Sequence, residues 1–162
     1  MKKLILVSVL FLFITDLSAQ NKEETEIWIQ DKIEQFGYSN DIDIWNNYKV
    51  EYRDGIMIIR EHHKNITDWA VTELITIYQI PIKELASVRF EEKYSNVWMY
   101  LRVRGDKKIH RYATESQEQS FKTEIQILLR KSIINENLPS RLTKAFNNLI
   151  KFYGGTIVEE KY

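Results

Sequence analysis

Apolar residues fall into three patterns along this chain, and the first occupies the N-terminus. Residues 1–20 begin with a methionine and two lysines, continue with an uncharged apolar run from Leu4 to Ile14, and end in a short polar segment. This order is typical of a secretory signal peptide, because an apolar run of about eleven residues is shorter than the roughly 20 that a membrane-spanning helix needs. We therefore expect cleavage near Ala19 or Gln20 and an exported protein, either periplasmic or extracellular.

The second pattern is helical and occurs at both ends of the remaining chain. Asn21 and Glu24 have the spacing of a capping box, and Ile29, Ile33 and Phe36 follow at helical spacing before a glycine. This predicts a helix over residues 23–36. A second helix follows Pro139 and ends at Gly154-Gly155, since one apolar stripe connects Leu142, Ala145, Phe146, Leu149, Ile150 and Tyr153.

Between these helices the apolar residues alternate with period two, which is the pattern of half-buried strands. Asp54-Gly55 predicts a tight hairpin turn, and Gly105-Asp106 predicts a second hairpin between strands over 96–104 and 107–112. Further strands are predicted over 48–52, 56–62, 70–80, 86–91 and 123–129, with a polar connection at 38–47 and a loop at 63–68.

The order of these elements predicts an α+β fold. A helix is followed by roughly six or seven strands and a long amphipathic helix, with no alternation of strands and helices, so the sheet should be mostly antiparallel. The long helix should pack on the sheet. Residues 21–155 form one predicted domain, and 156–162 a C-terminal tail.

The composition of the chain excludes several classes of function. Lys and Arg total 23, as do Asp and Glu, so no overall field attracts nucleic acid or acidic lipid. The chain contains no cysteine, which excludes disulfides and a lipid anchor on a cysteine. The five glycines form no phosphate-binding loop, and no nucleophile motif occurs, so we expect no cofactor and no catalytic residues.

The C-terminal segment resembles the ending of small uncharacterised exported proteins of Bacteroidota. The resemblance is carried by an arginine-leucine, a lysine-alanine-phenylalanine, a leucine-isoleucine-lysine and a double glycine, here Arg141-Leu142, Lys144-Ala145-Phe146, Leu149-Ile150-Lys151 and Gly154-Gly155. Many of those proteins have a cysteine before the double glycine, where this chain has Tyr153. The resemblance implies export but no known activity. Several strands closed by a helix also resemble the half-barrel of the pleckstrin-homology fold, by analogy of fold alone.

Two groups of residues are candidate sites. Glu61 and His63 share one face of a strand, and His110 is a third possible ligand for a metal. The strand from Val97 to Arg104 has an apolar face and, opposite it, a stripe of aromatic and basic residues: Trp98, Tyr100, Arg102 and Arg104. Aromatic residues and arginine favour interfaces, although they also pair across solvated sheets.

These observations favour a non-catalytic, exported binding module of the bacterial envelope, whose partner is an envelope protein or a small ligand. Two alternatives stay open. The first is a carrier of a small apolar ligand held between the sheet and the C-terminal helix. The second is a metal-assisted hydrolase that uses Glu61, His63 and His110.

Overall fold

The computed structural model describes residues 21–37, 39–40, 44–66, 71–93 and 95–156. The predicted signal segment, and residues 157–162 of the predicted tail, lie outside these ranges. Within them the chain forms α-helices, β-strands and two short 3₁₀ helices at Ile82–Glu84 and Lys131–Ile134. In chain order the main elements are α1 (Lys22–Phe36), β1 (Ser39–Asn40), β2 (Ile44–Arg53), β3 (Ile56–Ile66), β4 (Val71–Pro81), β5 (Leu85–Lys93), β6 (Asn96–Val103), β7 (Ile109–Ala113), β8 (Glu118–Lys122), β9 (Glu124–Arg130) and α2 (Leu138–Phe152).

The strands form two sheets in which neighbouring strands are antiparallel. The larger sheet has the order β1-β2-β3-β4-β7-β8, and the smaller has the order β5-β6-β9. The predicted α+β class, with antiparallel strands between an N-terminal and a C-terminal helix, is confirmed. We call the side of the larger sheet that carries buried Met57 and Ile59 its inner face, and the opposite side its outer face.

The hairpin predicted at Gly105-Asp106 is wrong. The glycine does turn the chain, with φ of 39°, but the strands on either side enter different sheets. β6 pairs with β5 and β9, whereas β7 lies between β4 and β8. Alternation within a strand does not show which strands pair with it. The local sequence therefore cannot show that β6 pairs with β5 on one side and with β9 on the other, which leaves no edge of β6 for β7.

Two strand boundaries and one whole strand also differ from the prediction. β2 begins at Ile44, inside the predicted connection, and β3 continues to Ile66, through most of the predicted loop. These polar segments stay extended because β2, β3 and β4 pair in continuous register, so that backbone hydrogen bonds compensate for missing apolar side chains. β8 was not predicted, because its sequence, EQSFK, has only one apolar residue.

The helical predictions are confirmed in detail. Asn21 Oδ1 accepts from Glu24 N at 2.8 Å, and Glu24 Oε2 accepts from Asn21 N, which completes the capping box. In α2, every residue of the predicted stripe is buried except Tyr153, which is half-buried. This helix packs against β5 of the smaller sheet, as expected, and it also packs against α1.

The two helices contact each other at both ends of α2. Trp28 in the middle of α1 meets Arg141 near the start of α2, and Glu26 near the start of α1 accepts a hydrogen bond from Tyr153 at the end of α2.

The predicted turn at Asp54-Gly55 is confirmed, and both residues have positive φ, as a tight hairpin turn of this kind requires.

Candidate functional site

The stripe predicted on β6 lies on the side of the smaller sheet that faces away from the core. Val97, Met99, Leu101 and Val103 are buried on the opposite side, as the alternation predicts. Trp98 is half-buried and Arg102 is exposed, so these two side chains are accessible. The other two members of the stripe, Tyr100 and Arg104, are less accessible than Arg102.

Tyr100 is covered by charged side chains of the neighbouring strand β5. The guanidinium carbon of Arg89 lies 3.7 Å from the centroid of the Tyr100 ring, and Tyr100 is only 4% exposed. Its hydroxyl donates to Glu91 Oε2 at 2.8 Å and accepts from Lys93 Nζ at 3.2 Å. These bonds lower the pKa of Glu91, chiefly through Tyr100 and then Lys93, and raise that of Lys93, again chiefly through Tyr100. The ring is therefore a structural centre of this face rather than an open anchor.

Arg104 follows β6 and reaches the C-terminal end of the described chain. Its guanidinium donates to the hydroxyl of Thr156 at 3.0 Å and to the backbone carbonyl of the same residue. Its backbone N–H donates to the carbonyl of Glu84 at 2.9 Å. Arg104 thus links three segments of the protein, and only Trp98 and Arg102 of the stripe keep accessible side chains.

The three predicted metal ligands are not brought together. Glu61 and His63 lie on the inner face of the larger sheet, and His110 lies on its outer face, opposite Gln79 in the register. There the imidazole of His110 stacks on the ring of Phe121, with a centroid distance of 5.2 Å. Across the described ranges, no three His, Asp or Glu side chains are grouped so as to hold a metal ion.

Glu61 instead belongs to a cluster of polar side chains on the inner face. Its two carboxylate oxygens accept hydrogen bonds from the hydroxyls of Tyr48 and Tyr78, at 3.1 and 3.0 Å. The Tyr48 oxygen also accepts from the backbone N–H of Leu128 in β9, at 3.2 Å. This cluster was missed because the three residues are far apart in the sequence, and only the strand register brings them together.

Both tyrosines of the cluster are neutral hydrogen-bond donors. Burial, followed by the charge of Glu61, raises the pKa of Tyr78 to about 12 and that of Tyr48 well above its ordinary value. Tyr48 is 1% exposed. Every hydroxyl of the cluster has a partner within it, so its chemistry is that of a satisfied structural network that joins the two sheets.

A surface groove lies between the two helices. Its volume is about 310 Å³, and it is lined by Trp28, Arg141, Lys144, Ala145 and Asn148. The guanidinium carbon of Arg141 lies 5.3 Å from the centroid of the Trp28 ring, within the range of a cation–π contact. The lining contains two cations, one aromatic ring and no carboxylate, so the groove suits an anion attached to an apolar group.

The sequence contains a weak signal for this groove. Trp28 lies beside the buried stripe of α1. On α2, Arg141 and Lys144 are three positions apart, and both precede Ala145. Residues at that spacing share one side of a helix. The sequence does not show that the two helices are in contact. Without that contact, Trp28 cannot be assigned to the same site as Arg141 and Lys144.

The fold and its surfaces define an α+β protein with two antiparallel sheets, a pair of helices in contact and a cationic groove between those helices. No family model, curated protein or solved structure matches the chain. Neither α1 nor α2, the α-helices of the described part of the chain, has the length and apolar character needed to cross a membrane.

Proposed function

We propose that this protein is a non-catalytic binding module, exported to the bacterial envelope, that holds an anionic partner in the groove between α1 and α2. A single observation carries the proposal: the groove places the half-exposed ring of Trp28 beside two cations, Arg141 and Lys144. Tryptophan and arginine contribute most strongly to binding when they line a common pocket. A half-barrel of the pleckstrin-homology type is part of the same proposal, supported by two antiparallel sheets followed by a helix.

The chemistry of the groove favours a partner with an anionic group next to an apolar one. The guanidinium of Arg141 can form two parallel hydrogen bonds with a carboxylate or a phosphate. Lys144 adds a second positive charge, and the amide of Asn148 both donates and accepts. The Trp28 ring provides the apolar surface against which the rest of the partner would pack.

The test is capture of a partner by cross-linking in the native envelope, with the groove altered by charge reversal. We expect Arg141→Glu combined with Lys144→Glu to weaken capture about tenfold or more, since each 1.4 kcal/mol of lost binding energy is tenfold in affinity. The matched control is Lys107→Glu with Lys108→Glu, which makes the same change in net charge at two exposed positions before β7. Capture by the wild type should also weaken as salt is added, because exposed charges are screened.

Two results would contradict the groove as the binding site. Equal capture by the wild type, the groove variant and the control variant would mean that the partner binds elsewhere. Loss of capture on combining Trp98→Ala with Arg102→Ala, with the groove variant unaffected, would move the site to the accessible residues of β6. Thermal unfolding of each variant distinguishes these outcomes from simple destabilisation.

A further inference from the structure

The chain covers two of the sheet edges that would otherwise be open. β1 pairs with only two residues of β2, and α1 packs along the rest of that edge, where Glu34 Oε1 accepts from the backbone N–H of Val50 at 2.9 Å. The edge of β9 is met by Tyr48, whose hydroxyl accepts from the N–H of Leu128. Covering an edge in this way prevents another strand from adding to the sheet.

The edge formed by β8 is different. Among the described residues, β8 pairs only with β7, and its other side carries no helix and no side-chain cap comparable to Glu34. Phe121 in this strand is 67% exposed, the largest exposure of any large apolar residue in the described chain. An exposed edge strand with an exposed aromatic ring is a template for pairing with a further strand.

The sequence of β8 is complementary to itself. If two copies pair antiparallel about a two-fold axis at Ser120, then Glu118 of each copy faces Lys122 of the other. Opposite charges directly across an antiparallel pair are stabilising, and both ion pairs form at once because the axis repeats every contact. Glu118 is available for this contact, since its side chain is 61% exposed and its present partner, Arg111, lies at the long distance of 3.8 Å.

The outer face beside this edge carries apolar side chains among polar ones, since His110 also contacts Gln79 and Gln119 at 3.3 Å. Phe121 stacks on His110, and Ile77 and Tyr112 pair with each other on the two strands next inward. Ile75, on the same face of β4, is also exposed. In the two-fold arrangement each Phe121 lies opposite Gln119 of the other copy. The two Phe121 positions are diagonal neighbours about 7–8 Å apart, so that their long side chains are within reach of each other.

We propose that the partner of β8 is a second copy of this chain, paired antiparallel about Ser120 so that the two larger sheets become one. The assembly is a closed two-fold dimer, because the unpaired backbone groups of β8 in one copy bond to those of β8 in the other. No open edge then remains where the two sheets join. The helix groove lies on other elements, so dimer formation is independent of the function proposed for it.

Sedimentation velocity of the purified protein over a wide range of concentration tests the proposal. We expect a monomer–dimer equilibrium in the wild type. Lys122→Glu places glutamates opposite Glu118 at both symmetry-related positions and should raise the dimer dissociation constant about tenfold or more. The double exchange Glu118→Lys with Lys122→Glu restores opposite charges in both pairs and should return the dissociation constant close to that of the wild type. Lys107→Glu is the control for net charge alone, and we expect it to leave the equilibrium unchanged.

A wild type that stays monomeric at every concentration would overturn the proposal, and the edge would then be protected by its charges alone. A dimer that ignores Lys122→Glu, or one that the double exchange does not restore, would place the interface elsewhere. Circular dichroism of each variant verifies that the fold is retained. Because these substitutions lie on an exposed strand and the groove lies between the helices, failure here is separate from failure of partner capture.

Discussion

The molecule contains two tyrosine–glutamate hydrogen bonds of similar length in very different surroundings. Tyr48 donates to Glu61 at 3.1 Å on the inner face of the larger sheet, and Tyr100 donates to Glu91 at 2.8 Å on the exposed side of the smaller sheet. Both tyrosines are buried, at 1% and 4% exposed, but the partners of Tyr100 are not: the side chains of Glu91 and Lys93 are 42% and 43% exposed. The same pair of groups should therefore contribute unequally to stability, because a buried polar group that loses its partner cannot turn to water.

The two tyrosines also differ in what they connect. Tyr48 bonds to Glu61 in β3 and to the backbone of Leu128 in β9, so it joins the two sheets. Its ring lies close to the backbone at Gly37, where a Cβ would be only 2.4 Å from Cδ2 of Tyr48. Tyr100 connects β6 only to β5, which is already its hydrogen-bonded neighbour. The inner tyrosine organises the fold, whereas the outer one supports a local surface.

The largest expected effect follows from removing the inner side chain. Tyr48→Ala should lower the free energy of unfolding by about 3–5 kcal/mol, because it leaves a cavity in a packed interior and deprives two partners of a hydrogen bond. Tyr100→Ala should cost less, about 2–3 kcal/mol, because its ring is also buried but is covered by the long side chains of Arg89 and Lys93, which can repack over the space. Urea unfolding of the two variants measures both values. Equal losses would contradict the distinction between the inner and outer tyrosine.

Removal of the hydroxyls alone sharpens the comparison. Tyr48→Phe should cost about 1–3 kcal/mol, because the Leu128 N–H and one oxygen of Glu61 remain without their partner away from bulk water. Tyr100→Phe should stay within about 0.5 kcal/mol of the wild type, since Glu91 and Lys93 can be hydrated instead. Chemical denaturation of this matched pair isolates the hydroxyl from the ring. A cost for Tyr100→Phe as large as that for Tyr48→Phe would show that the outer network is not accessible to water.

The contrast also explains which features could be predicted from the sequence. The capping box of α1, the stripe of α2 and the core face of β6 follow from local spacing, and the structure confirms them. The Tyr48–Glu61–Tyr78 cluster does not, because period-two alternation assigns each residue to a face without naming its partners on other strands.

The two interaction surfaces were hidden for related reasons. The groove depends on how α1 and α2 meet, a contact between the two ends of the described chain that no local pattern encodes. The open edge depends on β8, a strand formed by pairing with β7 rather than by apolar residues of its own. By contrast, the aromatic stripe on β6 was visible in the sequence, but Arg89, Glu91 and Lys93 on the adjacent strand decide how much of it is accessible.

The smallest expected effect is the dependence of the outer network on pH. The pKa of Glu91 lies below its ordinary value of 4.5, so its contribution to stability is present above that pH and is lost as pH falls through the lowered pKa. The pKa of Lys93 lies above its ordinary value of 10.5, so its contribution is present below that pH and is lost as pH rises through the raised pKa. In both cases the hydrogen bond to Tyr100 is the largest cause of the shift.

Tyr100→Phe should therefore return the pKa of Glu91 towards 4.5, and carbon NMR of the carboxyl group measures this directly. The melting temperatures of wild type and variant should differ slightly at neutral pH and converge in acid, where protonated Glu91 no longer benefits from the hydroxyl. Tyr112→Phe is the control, since Tyr112 lies on the larger sheet, away from this network. A melting-temperature difference that persists unchanged through the acid range would mean that the Tyr100 hydroxyl acts through packing rather than through the carboxylate.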